Sequence, residues 1–237
     1  MEKSNILSAT IIAAGIVVLG ICLKSGIDNF VNKGRNVEVK GLAEREVEAN
    51  KVTWPITIKE TGNDLQELYS TISKKTTIIK RFLKDNGVKE SEIFENAPSV
   101  TDYMSQGSYN QNSRFRYTIS ASMTVVSKEV NKIRSITAKQ GELLSEGVAI
   151  VSESEWNSNS GPTYEFTDFK EMKPEMVAEA IENAQKTAEQ FARNSHSEID
   201  KIVTADQGYF EIEDRDENTP YIKNIRVVTH ITYSLKN

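Results

Sequence analysis

Residues 114–127 read RFRYTISASMTVVS, in which Phe115, Tyr117, Ile119, Ala121, Met123 and Val125 alternate with Arg114, Arg116, Thr118, Ser120, Ser122 and Thr124. A period of two places the first set on one face of a strand and the second on the other. One face is core; the other meets water or a partner. Upstream, a polar loop over 105–113 separates this strand from another expected between Glu92 and Met104. Before that pair, Asn63 or Asp64 caps a helix, with Gln66 and Glu67 close behind. Leu65, Leu68, Ile72, Ile79, Phe82 and Leu83 keep one helical face apolar until Gly87 stops it. Downstream, Ser127 caps a second helix carrying Val130, Ile133, Ile136 or Thr137, and Leu143 or Leu144, which ends at Gly147.

The same order opens the folded part of the chain. Val37-Glu38-Val39-Lys40-Gly41 alternates, and Val52, Trp54, Ile56 and Ile58 then face one way with Thr53, Thr57 and Lys59 opposite. The two runs are read as a hairpin, with Pro55 on the outward face, where its missing N–H asks for an edge or a bulge. Beyond the second helix come a short strand over 147–155, a Ser/Asn/Gly/Pro loop and a brief strand at Tyr164-Glu165-Phe166. Pro174 stands where a proline opens a third helix, whose stripe is Val177, Ala180, Ile181, Ala184, Ala188 and Phe191. Strands follow over 199–204, 209–213 and 222–235. In the last, Ile225, Val227, Ile231, Tyr233 and Leu235 oppose Arg226, His230 and Thr232. The fold class is α+β: antiparallel or mixed sheets built from strand-strand-helix units, with three main helices.

Ahead of this body lies Ile6–Leu23, ILSATIIAAGIVVLGICL, an uncharged apolar run. As a helix it would measure roughly 27 Å, close to the hydrocarbon thickness of a bilayer. Residues 1–24 are therefore read as a transmembrane signal anchor and 25–36, with Gly26 and Gly34, as a tether. Nothing between Gly20 and Phe30 resembles an Ala-x-Ala cleavage site, and Ile21 before Cys22 argues against a lipid anchor. Retention is the reading adopted; cleavage and release into the periplasm is the alternative. Orientation by flanking charge sets Lys3 and the amino terminus against Lys24, Lys33 and Arg35, which taken alone turns the domain to the cytoplasm.

The formal charge of −5 argues against a duplex-binding surface, and no nucleic-acid partner is expected. The single cysteine, Cys22, lies in the apolar run, so the body has no thiolate nucleophile and no cysteine-based zinc site. His196 and His230 have no ligand-spaced neighbours. Asp214, Asp216 and Asn218 fit the first positions of a calcium loop, but Thr219 and Ile225 stand where it needs Gly and Glu, so a charged turn is the better reading. Trp54, Tyr117 and Tyr233 are core aromatics, whereas Trp156, Tyr103 and Tyr109 border polar loops and are candidates for partner contact. No catalytic, cofactor-binding or metal-ligating residue is assigned, and no cofactor is expected.

Val39-Lys40-Gly41-Leu42-Ala43-Glu44-Arg45-Glu46-Val47 followed by Trp54-Pro55-Ile56-Thr57 resembles the opening of SIMPL-domain proteins. Arg116-Tyr117 leading to Val125-Val126, the block from Ala180 to Ala188 and the block from Thr219 to Thr229 resemble its later segments, in order, so that the SIMPL-like domain runs over 37–237. The resemblance implies an α+β envelope protein, exported in Gram-negative bacteria, self-associating, without established enzymatic activity, and linked in some members to oxidative stress. On that basis the expectation is a non-enzymatic protein of the bacterial inner membrane, single-pass, its domain in the periplasm, acting by self-assembly or partner binding. The rival expectation is a small-molecule-binding or hydrolytic enzyme built on loop-borne acidic residues such as Asp214 and Asp216.

Overall fold

The computed structural model describes residues 13–26, 35–105, 114–151 and 161–236. Helix α1 is described over 13–26 and exposes its side chains along that whole length. Among the described residues no helix is long and apolar enough to cross a membrane. The expected transmembrane helix is thus not carried by the structure as described; its first part, within residues 1–12, lies outside the described residues, as does most of the tether.

Thereafter the order is β1 (Asn36–Glu48), β2 (Lys51–Gly62), α2 (Leu65–Asp85), a 3-10 turn, β3 (Ile93–Glu95), β4 (Ser99–Asp102), β5 (Tyr117–Ser127), α3 (Val130–Ala138), α4 (Gly141–Ser145), β6 (Thr163–Glu165), α5 (Phe169–Asn194), β7 (Glu198–Asp214) and β8 (Ile222–Lys236). The α+β class stands, with antiparallel sheets and four helices after α1. The chain forms two compact units, and the division falls inside β1, β7 and β8.

One unit comprises Glu46–Phe169 and Glu213–Asn224. Its five-stranded sheet runs β3-β5-β2-β6, with β4 also on β5. The β2–β5 pairing is antiparallel and unbroken from Val52 opposite Ser127 to Gly62 opposite Tyr117. That register puts Trp54 beside Val125, Ile56 beside Met123 and Ile58 beside Ala121, all buried. Helix α2 lays Leu68, Ile72, Ile79, Phe82 and Leu83 over the same face. Each such side chain, fully buried, contributes about 1.5–3 kcal/mol. Asp64 starts the helix, its Oδ1 accepting from the N–H groups of Gln66 (2.8 Å) and Glu67 (3.1 Å). Gly87 ends it at φ 86°.

The other unit comprises residues up to Arg45 with Lys170–Ile212 and Ile225–Asn237. Its sheet runs β1-β8-β7, so the C-terminal strand is central, as such strands commonly are. Met176, Ala180, Ala184, Ala188 and Ala192 of α5 are buried. Val39, Ala184, Ala188, Ile231 and Tyr233 form its apolar core. The approach is close: a Cβ on Gly41 would lie 1.8 Å from the Ala180 carbonyl oxygen.

Several expectations change. β1 and β2 do not pair as a hairpin; the chain turns a corner at Ala49 and Asn50, and each strand joins a different sheet. The strand expected over 92–104 is broken by Pro98 into β3 and β4. The second helix becomes α3 and α4, and the Ser127 hydroxyl accepts from the Glu129 N–H just ahead of α3 (3.0 Å). Residues 148–151 are not strand, although the Val151 N–H bonds the Thr57 carbonyl (2.8 Å); 152–160 lie outside the described residues. Pro174 sits inside α5 rather than at its start. The strands expected over 199–204 and 209–213 are one strand, β7. Leu65, Ile181 and Phe191, assigned to buried stripes, are exposed, and so is Phe115, assigned to the core face of a strand that begins only at Tyr117. Pro55 lies on β2 just past the reach of β6, which pairs only with Lys51 to Thr53.

Candidate functional site

The acidic turn between β7 and β8 borders a cavity of about 610 Å³. Pro162, Tyr164 and Pro220 form its walls, and Asp214, Glu217 and Lys223 bring charge to it. Lys223 is 7% exposed. A buried ammonium needs a partner, and here Lys223 Nζ donates to the Asp214 carboxylate across the turn. Backbone pairing holds the two residues in register, with the Arg215 N–H on the Ile222 carbonyl (2.9 Å). Behind the wall, Tyr164 meets Tyr221 edge-on at 6.1 Å. The Arg134 guanidinium lies 3.3 Å from the Tyr221 ring centroid. Burial pushes the Tyr164 phenol above its ordinary value, against the pull of nearby Arg134.

The turn does not bring the three sequence candidates together as ligands. Asp216 Oδ1 accepts from the N–H groups of Asn218 (2.9 Å) and Thr219 (2.8 Å). Its Oδ2 accepts from the Thr219 hydroxyl and from Arg215 Nε (3.1 Å). The Thr219 hydroxyl bond is the main reason its carboxyl is lowered to about 2, with Arg215 and the two N–H groups adding to it. Both oxygens are engaged in shaping the turn, and Asn218 enters through its backbone. Asp214 instead serves Lys223. Among the described residues, no group of three or more His, Cys, Asp or Glu side chains is placed to hold a metal ion.

A second cavity, about 540 Å³, opens where β2 passes into α2, around Glu60, Asp64, Glu67 and Phe115. Its carboxylates are structural in part: Asp64 caps α2, and Glu60 accepts from Lys75. His196 takes φ 54°, a left-handed residue just past α5 that lets the Ser197 N–H return to the Ala192 carbonyl (2.8 Å). His230 is half-buried on β8. Trp54 and Tyr233 are core, as expected, and burial raises the Tyr233 phenol. Tyr117 is half-buried under the Arg116 guanidinium, 4.7 Å from its ring centroid. Tyr109 and Trp156 lie outside the described residues.

The model of the family described as "SIMPL: Protein of unknown function (DUF541)" matches residues 37–226. The chain belongs to the SIMPL family. No curated protein matches it. Among solved structures, the SIMPL chain is similar to the ligand-free regulatory subunit of aspartate kinase from Thermus thermophilus, at 12% identity over 81% of this chain and 88% of that one. The TM-score of 0.20 carries no functional argument. Within the SIMPL domain, the sequence reading missed the Lys223–Asp214 pair and the bidentate Arg116–Asp102 pair, bonded at 3.0 and 2.8 Å. Neither pair follows a helical or strand period; only the meeting of separate segments creates it.

Proposed function

We propose that this SIMPL protein is a non-enzymatic component of the bacterial cell envelope, tethered to the inner membrane through its N-terminal helix with its domain in the periplasm. It acts by self-assembly or partner binding, and its physiological setting is envelope or oxidative stress. The observation that carries this reading is α1. Ile16, Val17, Val18, Leu19, Ile21 and Leu23 are each 57–64% exposed around it. A helix apolar on every side is at home in lipid or in a protein core, not in water. For assembly, the support is β7, which ends its sheet with Ile202, Val203 and Tyr209 exposed, a strand edge of the kind that recruits another chain.

Membrane fractionation of the full chain, protease protection in spheroplasts and crosslinking in cells test the three parts. The expected results are a carbonate-resistant pellet, digestion from the periplasmic side and crosslinked multiples of the chain. Recovery of the intact chain from the aqueous fraction as a monomer overturns the proposal. The alternative, a small-molecule-binding or hydrolytic enzyme, is favoured by one observation: the cavity that sets Asp214 beside buried Lys223. A turnover abolished by Asp214→Asn in a folded protein would establish it.

A further inference from the structure

The outward face of the five-stranded sheet carries a pattern that its inward face does not. Opposite the buried Trp54, Ile56 and Met123, the β2–β5 register aligns Thr61 with Thr118 and Lys59 with Ser120, while in the next row, Thr57 with Ser122, Thr57 is itself buried and only Ser122 is offered. The flanking strands extend these rows. β4 sets Ser99 against Ser120 and Thr101 against Thr118. β6 sets Thr163 against Thr53. Asn96 Nδ2 donates to the Ser122 hydroxyl (3.2 Å), adding an amide to the same face.

Charge is nearly absent from this field. The chain is 27% charged overall, yet between the ion pair Lys51–Glu165 at one end and Arg116–Asp102 at the other, Lys59 is the one ionisable outward residue among the described strand positions. Rings occupy its ends. Phe94 pairs with Thr124, which pairs in turn with Pro55, so that a ring and a proline flank a threonine across the sheet; Phe94 is 55% exposed. At the far end the Tyr103 hydroxyl accepts from Thr118 Oγ1 (3.4 Å). From Thr124 to Thr118 the strand advances about 20 Å.

We infer that this face binds a neutral glycan strand. Hydroxyls and the Asn96 amide both donate and accept, as sugar hydroxyls do. The exposed Phe94 ring suits the C–H face of a pyranose, and with the half-buried Tyr103 ring several sugar lengths away the spacing fits a polymer rather than a single sugar. A nucleic acid or an acidic polysaccharide would require a row of cations, and among the described strand positions between the two ion pairs Lys59 stands by itself. The inference names the partner class for the partner-binding part of the function proposed above and rests on that part alone, not on the membrane anchor.

The test uses the full chain in detergent micelles, with cellohexaose and N-acetylchitohexaose as probes and binding read by ligand-observed NMR. Saturable binding of at least one hexasaccharide is expected. Phe94→Ala and Tyr103→Ala should each weaken it about fivefold, the loss of roughly 1 kcal/mol of ring contact. Phe191→Ala, on a helix of the other unit, should leave it unchanged, and circular dichroism should report an intact fold for all three variants. The inference is overturned if neither sugar binds the folded protein, or if binding ignores both ring substitutions. Dimerisation lost in Ser122→Lys without sugar binding also overturns it, because the face would then serve a polypeptide. A chain that binds sugar yet fractionates as soluble sinks the membrane reading and leaves this one standing.

Discussion

Asp216 accepts from two backbone N–H groups, a hydroxyl and a guanidinium, and these donors favour its charged form. Its carboxyl therefore titrates near 2 in the folded chain against an ordinary value of 3.8. Between those values the unfolded chain binds more protons than the folded one, so stability rises with pH. The contribution is fully present above about pH 4 and is lost as pH falls through about 2. Asp102, lowered chiefly by its bonds to Arg116, acts in the same direction. Asp216→Asn should flatten the dependence of thermal midpoint on pH between 2 and 4 while leaving the part due to Asp102. Parallel slopes for the two proteins, measured by circular dichroism melts, would show that the turn contributes nothing through this group.

At the scale of elements, the contact between α5 and the β1-β8-β7 sheet depends on small residues at matching places. Ala180, Ala184 and Ala188 are fully buried, and Gly41 is the point of nearest approach. Gly41→Ala places a methyl 1.8 Å from the Ala180 carbonyl oxygen and 2.8 Å from the Ala184 Cβ, and the backbone oxygen has no rotamer by which to retreat. We expect it to cost about 3 kcal/mol in urea denaturation, at the upper end of overpacking substitutions. A cost below about 0.5 kcal/mol would mean that α5 sits farther from the sheet. The same contact shows what the sequence made legible. The Ala spacing could be read, and so could α2, whose cap, period and terminal glycine agree. Phe191 and Ile181 were misplaced because an apolar stripe weights large residues, whereas a helix this close to a sheet buries alanine and turns the larger side chains out. Strand alternation likewise identified β1 and β2 but not their partners, since the pattern is identical whether a strand pairs with its neighbour or with a distant one. The candidate site was legible only as a turn. Which carboxylate shapes the turn and which neutralises Lys223 depends on contacts across β7 and β8.

In the whole molecule the apolar cores are unequal. Among the described residues, nineteen buried residues join in one cluster, built on β2, β5, α2 and α3, and five in the cluster under α5. Opening free energy follows local burial, so amide hydrogen exchange should be slowest in β2 and β5. β7 is the opposite case among the long strands. It ends its sheet, and residues 200–207 are exposed on both faces, so few apolar contacts resist its separation from β8. Its amides should exchange through a smaller opening, well before those of β5, when the full chain is followed by mass spectrometry at low protein concentration. Raising the concentration then separates two origins of protection. If β7 becomes protected in step with the appearance of multimers, its exposed sides are covered by another copy and this strand is the assembly edge. If multimers form and β7 continues to exchange freely, assembly uses another surface, and the long edge strand must be kept from pairing by its carboxylates: Glu198, Asp200, Asp206, Glu211 and Glu213 along the strand, against the single cation Lys201.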